Sequence, residues 1–250
     1  MKLLRRIIKL TLLITHLFIG LLIVYSLFSR WLRPKMSPHF LDNVMVYWSY
    51  LLCRILNLRL QQYGKRNQTP TLFVANHITW LDIFALLGTF PVTFLAKQEV
   101  KHWPLLGSLV HGVGTLFIQR GNHGFGLAGQ QMTEKLQQGK HVLFFPEGTS
   151  TDGTTVRRFF ARLFQVSMDA QVPIQPIALR YIKSGEINTL VPFIGEESIT
   201  QNIWRILGEK DIELQIWFCD PISPQDKQRR DLANESHLRI SEKINVEVQP

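Results

Sequence analysis

Cysteine is scarce in this chain: it holds two, Cys53 and Cys219. They lie far apart and form no Cys-x-x-Cys pair, which argues against a structural metal site or a disulfide framework. Two reduced, buried thiols are expected, with a single bridge left open. The histidines and acids show no metal-site spacing either, so no metal is expected. Acidic residues are outnumbered, 19 against 28 basic ones, for a formal charge of +9. Such a balance suits nucleic acid, anionic lipid or an acidic substrate. No internal repeat and no low-complexity tract appears, which excludes a solenoid and a disordered array.

Apolar residues are plentiful at 46% of the chain, enough for one core-bearing domain with an appendage. Residues 1–58 read as membrane-anchoring helices and residues 59–250 as the main domain. Ile7 to Phe28 is almost wholly apolar, broken by Lys9 and His16; about 20 such residues span a bilayer core. A secretory signal would have a shorter apolar run and small residues before its cleavage site. Here the run ends Tyr-Ser-Leu-Phe-Ser-Arg-Trp, so an uncleaved anchor is expected. Basic residues flank both ends, which leaves a spanning and a re-entrant helix equally open. His16 is expected to face a second helix or the interface. Phe40 to Leu58 carries apolar and aromatic residues at helical spacing, suited either to the interface or to the core.

Beyond the polar turn Gly64–Pro70, apolar runs alternate with helical patterns. Strands are expected at Leu72–Ala75, Val92–Leu95, Gly114–Ile118, His141–Phe145, Ile174–Tyr181 and Ile212–Phe218. Helices are expected at Trp80–Leu87, Phe125–Gln138, Val156–Ala170 and Pro224–Asn245. That alternation predicts an α/β fold, a largely parallel central sheet flanked by helices, with the helical anchor at its N-terminus.

The chemistry concentrates in a few segments. In Thr71-Leu-Phe-Val-Ala-Asn-His-Ile-Thr-Trp-Leu-Asp-Ile-Phe84 a buried strand delivers His77, and Asp82 follows at the start of a helix. A histidine that takes a proton from a hydroxyl needs a carboxylate to fix its tautomer and stabilise the imidazolium. The plainer reading is that Thr79-x-x-Asp82 is only an N-terminal capping box. Gly114-Thr-Leu-Phe-Ile-Gln-Arg120 reads as a strand ending on an arginine, whose planar fork matches phosphate; a surface charge is the alternative. In His141-Val-Leu-Phe-Phe-Pro-Glu-Gly-Thr-Ser150 a strand runs into Pro-Glu-Gly-Thr, where glycine permits close approach and hydroxyls and amides suit a polar headgroup. Glu147 would order the arginine or bind an acceptor hydroxyl. Gly148-x-Ser150-x-Asp152 lacks the final glycine of a nucleophile elbow, so a serine hydrolase is rejected. Val172-Pro-Ile-Gln-Pro-Ile177 reads by itself as a structural strand edge.

Together, and in this order, the four segments resemble the blocks of the glycerolipid acyltransferase family, typified by 1-acyl-glycerol-3-phosphate acyltransferases. The His-X4-Asp block is His77 to Asp82. The second is Gly114 to Arg120, the third Phe145-Pro-Glu-Gly-Thr149 and the fourth Val172-Pro173-Ile174. Ile78-Thr-Trp-Leu-Asp-Ile83, Ala96-Lys-Gln-Glu-Val100 and Trp103-Pro104 also look like the branch that includes lyso-ornithine lipid acyltransferases. Two departures bear on the acceptor. Gln119 stands where the family usually has an acid, and Phe159-Phe-Ala-Arg162 replaces Phe-Lys-x-Gly.

The resemblance implies an enzyme of phospholipid biosynthesis. It would move a fatty acyl group from acyl-CoA or acyl-carrier protein to a lysolipid hydroxyl, with 1-acyl-glycerol-3-phosphate as leading acceptor. His77 would be general base and Asp82 its orienting carboxylate. Gly114, Thr115, Arg120, Glu147, Gly148, Thr149 and Pro173 would bind substrate, with no cofactor beyond the acyl donor. Implied partners are membrane lipid, the lysolipid and the acyl carrier, with no nucleic acid. The expected location is the bacterial inner membrane, the site facing the cytoplasm. Lyso-ornithine lipid or another lysolipid is the alternative acceptor. A non-catalytic membrane lipid-binding protein is the rival of another class.

Overall fold

A computed structural model describes residues 1–27, 37–102, 107, 114–119 and 122–245. The elements run α1 (Lys2–Leu27), α2 (Pro38–Leu56), β1 (Leu58–Tyr63), β2 (Leu72–Ala75), α3 (Leu81–Leu87), β3 (Thr93–Lys97), β4 (Leu116–Ile118), α4 (Asn122–Gln137) and β5 (Val142–Phe144). They continue with α5 (Gln165–Ala170), β6 (Ile174–Lys183), β7 (Glu186–Ile187), α6 (Ile199–Leu207), β8 (Ile212–Phe218) and α7 (Arg229–Ile244). Short 3-10 turns lie at Gln98–His102 and Ala161–Phe164.

The sheet order is β1-β8-β6-β2-β5-β3-β4, with β7 on β6. From β6 to β4 every pairing is parallel. The pair β1 and β8, parallel to each other, meets β6 antiparallel. The largely parallel sheet between helices therefore stands as expected. Alternation along the strands divides the core in two. Phe73, Ala75, Leu143, Ile177 and Leu179 face one cluster, with residues of α1, α2, α3 and α6. Leu72, Val74, Val142, Phe144 and Ala178 face the other, with residues of α4, α5 and α7. Strands buried on both faces read as continuous apolar runs, which is why they are visible in the sequence.

Several elements differ from expectation. The apolar pattern at Val156–Ala170 does not form one helix. Only Ala161–Phe164 and α5 are helical, because the Arg157 amide goes to Glu147 and the Phe160 amide to the Pro146 carbonyl. A chain whose amides serve a neighbouring turn cannot close its own helical ladder. The last helix starts at Arg229 rather than Pro224, since Asp226 turns left-handed and the extended Gln228 forms a capping box with Asp231. The second helix ends at Leu56, where Asn57 turns left-handed, and Leu58 already belongs to β1. Strand β1 escapes notice because it is an edge with Leu58 alone fully buried. Helix α6 was also unforeseen, although Ser198 and Gln201 form a capping box at its start. Cys53 and Cys219 are free and buried.

Among the described residues α1 alone is long and apolar enough to cross a bilayer. One stripe of it is committed to protein. Arg5 donates to the Gly208 carbonyl, and Lys9 donates to the carbonyls of Leu56 and Glu209 at 2.8 and 2.9 Å. Leu13 enters the core, and His16 stacks on Trp48 of α2 with centroids 4.5 Å apart. Gly20 completes the stripe: a Cβ there would lie 2.7 Å from the Trp48 ring. The other face exposes Leu4, Ile8, Leu12, Phe18, Ile19 and Leu22.

Candidate active site

Strands β2 and β5 are adjacent and parallel, so the turns that leave their carboxyl ends lie side by side. The first turn carries His77. Asn76 precedes it and extends the ladder with its side chain, donating to the Leu179 carbonyl and accepting the Leu179 amide. His77 is thus delivered just beyond the point where β2 stops pairing by its backbone.

The second turn clamps the first. One carboxylate oxygen of Glu147 accepts the His77 amide and the other accepts the Arg157 amide, each at 2.8 Å. The His77 carbonyl accepts the Thr151 amide at 2.8 Å. Glu147 is buried; burial pushes its carboxyl above the usual range, against the opposing pull of the two amides. Gly148 allows the tight turn, with φ +67 and Phe160 lying 3.3 Å from where a Cβ would stand. A further loop seals the far side. The Phe193 amide donates to the Ile78 carbonyl, Ser150 donates to the Phe193 carbonyl, and Trp80 donates to Asn202 of α6.

His77 and Asp82 meet. Nδ1 and Oδ2 are 2.8 Å apart. Oδ2 also accepts the amides of Ile78 and Thr79, and Oδ1 accepts the Tyr181 hydroxyl at 2.8 Å. Four donors face this carboxylate, so it acts as an acceptor only, which puts the ring proton on Nδ1 and leaves the Nε2 lone pair free. Asp82 is fully buried, whereas the His77 side chain is 21% exposed. Nε2 has no partner among the described residues, and the ring stacks on Phe145 at 4.1 Å. The capping interpretation of Asp82 is compatible with this arrangement. Its carboxylate does satisfy free amides at the helix start, but the Thr79 hydroxyl has no partner, so only the acid half of the box is formed.

The remaining sequence candidates lie in different places. Gly148 and Thr149 share the second turn with Glu147. Gly114 and Thr115 precede β4 at its amino end. Leu116 pairs with Leu95, Thr93 with Val142, and Val142 with Leu72, so Gly114 is level with Leu72 and not with His77. Pro173 is also at that end, where its carbonyl accepts the Leu72 amide. Arg120 lies outside the described residues, as do Gly121, Trp103 and Pro104. The residue that sequence reasoning missed is Tyr181: an apolar strand run gave no sign that one ring would reach Asp82.

The fold and these turns define a class, an α/β protein with a partly exposed histidine held by a buried carboxylate at the ends of parallel strands. The chain belongs to the Acyltransferase family, whose model matches residues 57–180. It is 37% identical over 194 residues to a lyso-ornithine lipid O-acyltransferase of Pseudomonas aeruginosa, covering 78% of this chain and 75% of that one. A 1-acyl-sn-glycerol-3-phosphate acyltransferase of Neisseria gonorrhoeae is 36% identical over 164 residues, covering 65% of this chain and 64% of the relative. The crystal structure of the 1-acyl-sn-glycerophosphate (LPA) acyltransferase PlsC from Thermotoga maritima shares the fold. Its TM-score is 0.72 at 18% identity, over 97% of this chain and 94% of that one.

Proposed function

We propose that this protein transfers a fatty acyl group from acyl-CoA or acyl-carrier protein to the free hydroxyl of a lysolipid. The leading acceptor is 1-acyl-glycerol-3-phosphate, and the product phosphatidate. The observation that carries the reading is the 2.8 Å contact between His77 Nδ1 and Asp82, with Nε2 left open and the His77 amide held by Glu147 of the Pro146-Glu147-Gly148-Thr149 turn. His77 Nε2 takes the proton of the acceptor hydroxyl as its oxygen attacks the thioester carbonyl. When the tetrahedral species collapses, the carbon–sulfur bond breaks and the thiolate leaves with that proton. The products are an ester and a free thiol, and His77 is neutral again. Positioned base catalysis of this kind is worth roughly 10²–10⁴-fold.

The substrate headgroup is received by the Gly148–Thr149 turn and by Arg120 at the far end of the second block from Gly114. Glu147 holds the two turns together through the His77 and Arg157 amides. The exposed apolar face of α1 rests in lipid, which keeps the site at the bilayer surface where a lysolipid resides. The bacterial inner membrane, cytoplasmic side, is the proposed location. Residues 1–58 form the membrane-anchoring part and residues 59–250 the catalytic domain.

A second acceptor, lyso-ornithine lipid, is favoured by a specific observation: the Pseudomonas relative is matched over 75% of its length and the Neisseria relative over 64%. Purified protein in vesicles, offered each lysolipid with acyl-CoA or acyl-carrier protein, decides by mass spectrometry of the products. Phosphatidate alone supports the first acceptor and diacylated ornithine lipid alone the second. No product from any pair sinks the enzymatic reading.

A further inference from the structure

Odd-numbered residues of β6 face the core under α2 and α3: Ile177, Leu179 and Tyr181 belong to that cluster. Ala75 pairs with Ile177, so Tyr181 stands beyond the end of β2, beneath the start of α3. The ring is buried. Its hydroxyl meets Asp82 Oδ1 at 2.8 Å. The two oxygens of Asp82 are loaded unequally: Oδ2 serves His77 Nδ1 and two amides, whereas Oδ1 has Tyr181 as its sole donor among the described residues.

We propose that Tyr181 is a positioning residue for the transfer, fixing the plane of the Asp82 carboxylate and drawing charge toward Oδ1. This rests on the His77–Asp82 reading above. A carboxylate bound through one oxygen can turn about its Cβ–Cγ bond; a second donor on the other oxygen locks the plane and aims Oδ2 at Nδ1. The same bond shares the carboxylate charge, so it moderates how tightly Asp82 holds the imidazolium and hence the basicity of Nε2. Burial and the adjacent Asp82 raise the phenol well above its ordinary range, so Tyr181 keeps its proton and acts as a donor throughout turnover. No proton leaves it during the reaction.

Tyr181→Phe deletes the hydroxyl and keeps the ring. In the full chain in vesicles, kcat is expected to fall about tenfold with the KM for lysolipid unchanged. The acidic limb of kcat/KM should move to higher pH, because the unshared Asp82 charge holds the imidazolium more tightly. In an Asp82→Asn background the same change should add little, since the tyrosine acts through Asp82. A fluorinated tyrosine at 181, a stronger donor, should move the acidic limb the opposite way and serves if Tyr181→Phe does not fold. An unmoved acidic limb with wild-type kcat, or an equal loss in the Asp82→Asn background, overturns the proposal. His77→Ala separates the two failures: normal turnover there removes the catalytic reading itself, whereas a dead His77→Ala with a silent Tyr181→Phe removes this inference alone.

Discussion

The turns after β2 and β5 each bury one acid, and they use it for opposite purposes. Asp82 serves a side chain: its carboxylate faces the His77 ring, which is partly exposed. Glu147 serves the backbone: its two oxygens tie the His77 amide to the Arg157 amide. In the proposed mechanism one acid sets the electronic state of the His77 ring, and the other sets where the residue bearing that ring stands. Both must be buried, because water competing for either carboxylate would loosen geometry that catalysis needs within tenths of an ångström.

The difference can be broken from either side. His77→Ala should give the largest effect on rate, a loss of roughly 10²–10⁴-fold in acyl transfer. Its thermal midpoint should stay near wild type, since the ring is partly exposed and the clamping bonds use the His77 backbone. Radiolabelled transfer and a melting scan test both halves, and near-normal transfer by the folded variant refutes the assigned role. Glu147→Ala should do the reverse in emphasis. It leaves two buried amides without acceptors, at a cost of roughly 1–3 kcal/mol each, and it should lower the melting temperature along with the rate.

The pH dependence of stability sharpens the contrast. Burial raises the Glu147 carboxyl above its ordinary 4.5 in the folded chain, so the native state binds that proton more tightly than the unfolded state. The stability from this group is full below the ordinary range and is lost as pH climbs through the raised value. Glu147→Gln does not titrate. The melting temperature of wild type relative to this variant should therefore decline over that pH window, and a constant difference would contradict the burial argument. The smallest effect is expected from Phe145→Leu, which removes the ring stacked on His77. An aromatic face stabilises an adjacent cation by about 0.5–1 kcal/mol at a partly exposed site, so kcat should fall a few-fold with little change in folding.

The two turns also differ in how far they can be read from sequence. His77 and Asp82 are close in the chain and share one strand-to-helix turn, so spacing alone suggests their contact. The service Glu147 gives to Arg157 is local too, yet it is hidden: the apolar pattern from Val156 onward resembles a helix, whereas the Arg157 and Phe160 amides go to the Glu147 turn. The Glu147–His77 bond spans 70 residues and the Tyr181–Asp82 bond 99. Neither has a local signal. Both follow from strand order, which places β5 on one side of β2 and β6 on the other.

By itself the sequence determined the layered α/β fold, since strands buried on both faces must be apolar throughout and the intervening helices must alternate. It also determined the His-X4-Asp pair and the apolar N-terminal helix, whose signals are contained within single segments. Tertiary structure alone decided what Asp82 and Glu147 do with their second oxygens, and which stripe of α1 packs on protein and which is left exposed. Those choices depend on which strands and helices become neighbours, and adjacency is a property of the packed chain that no window of residues encodes.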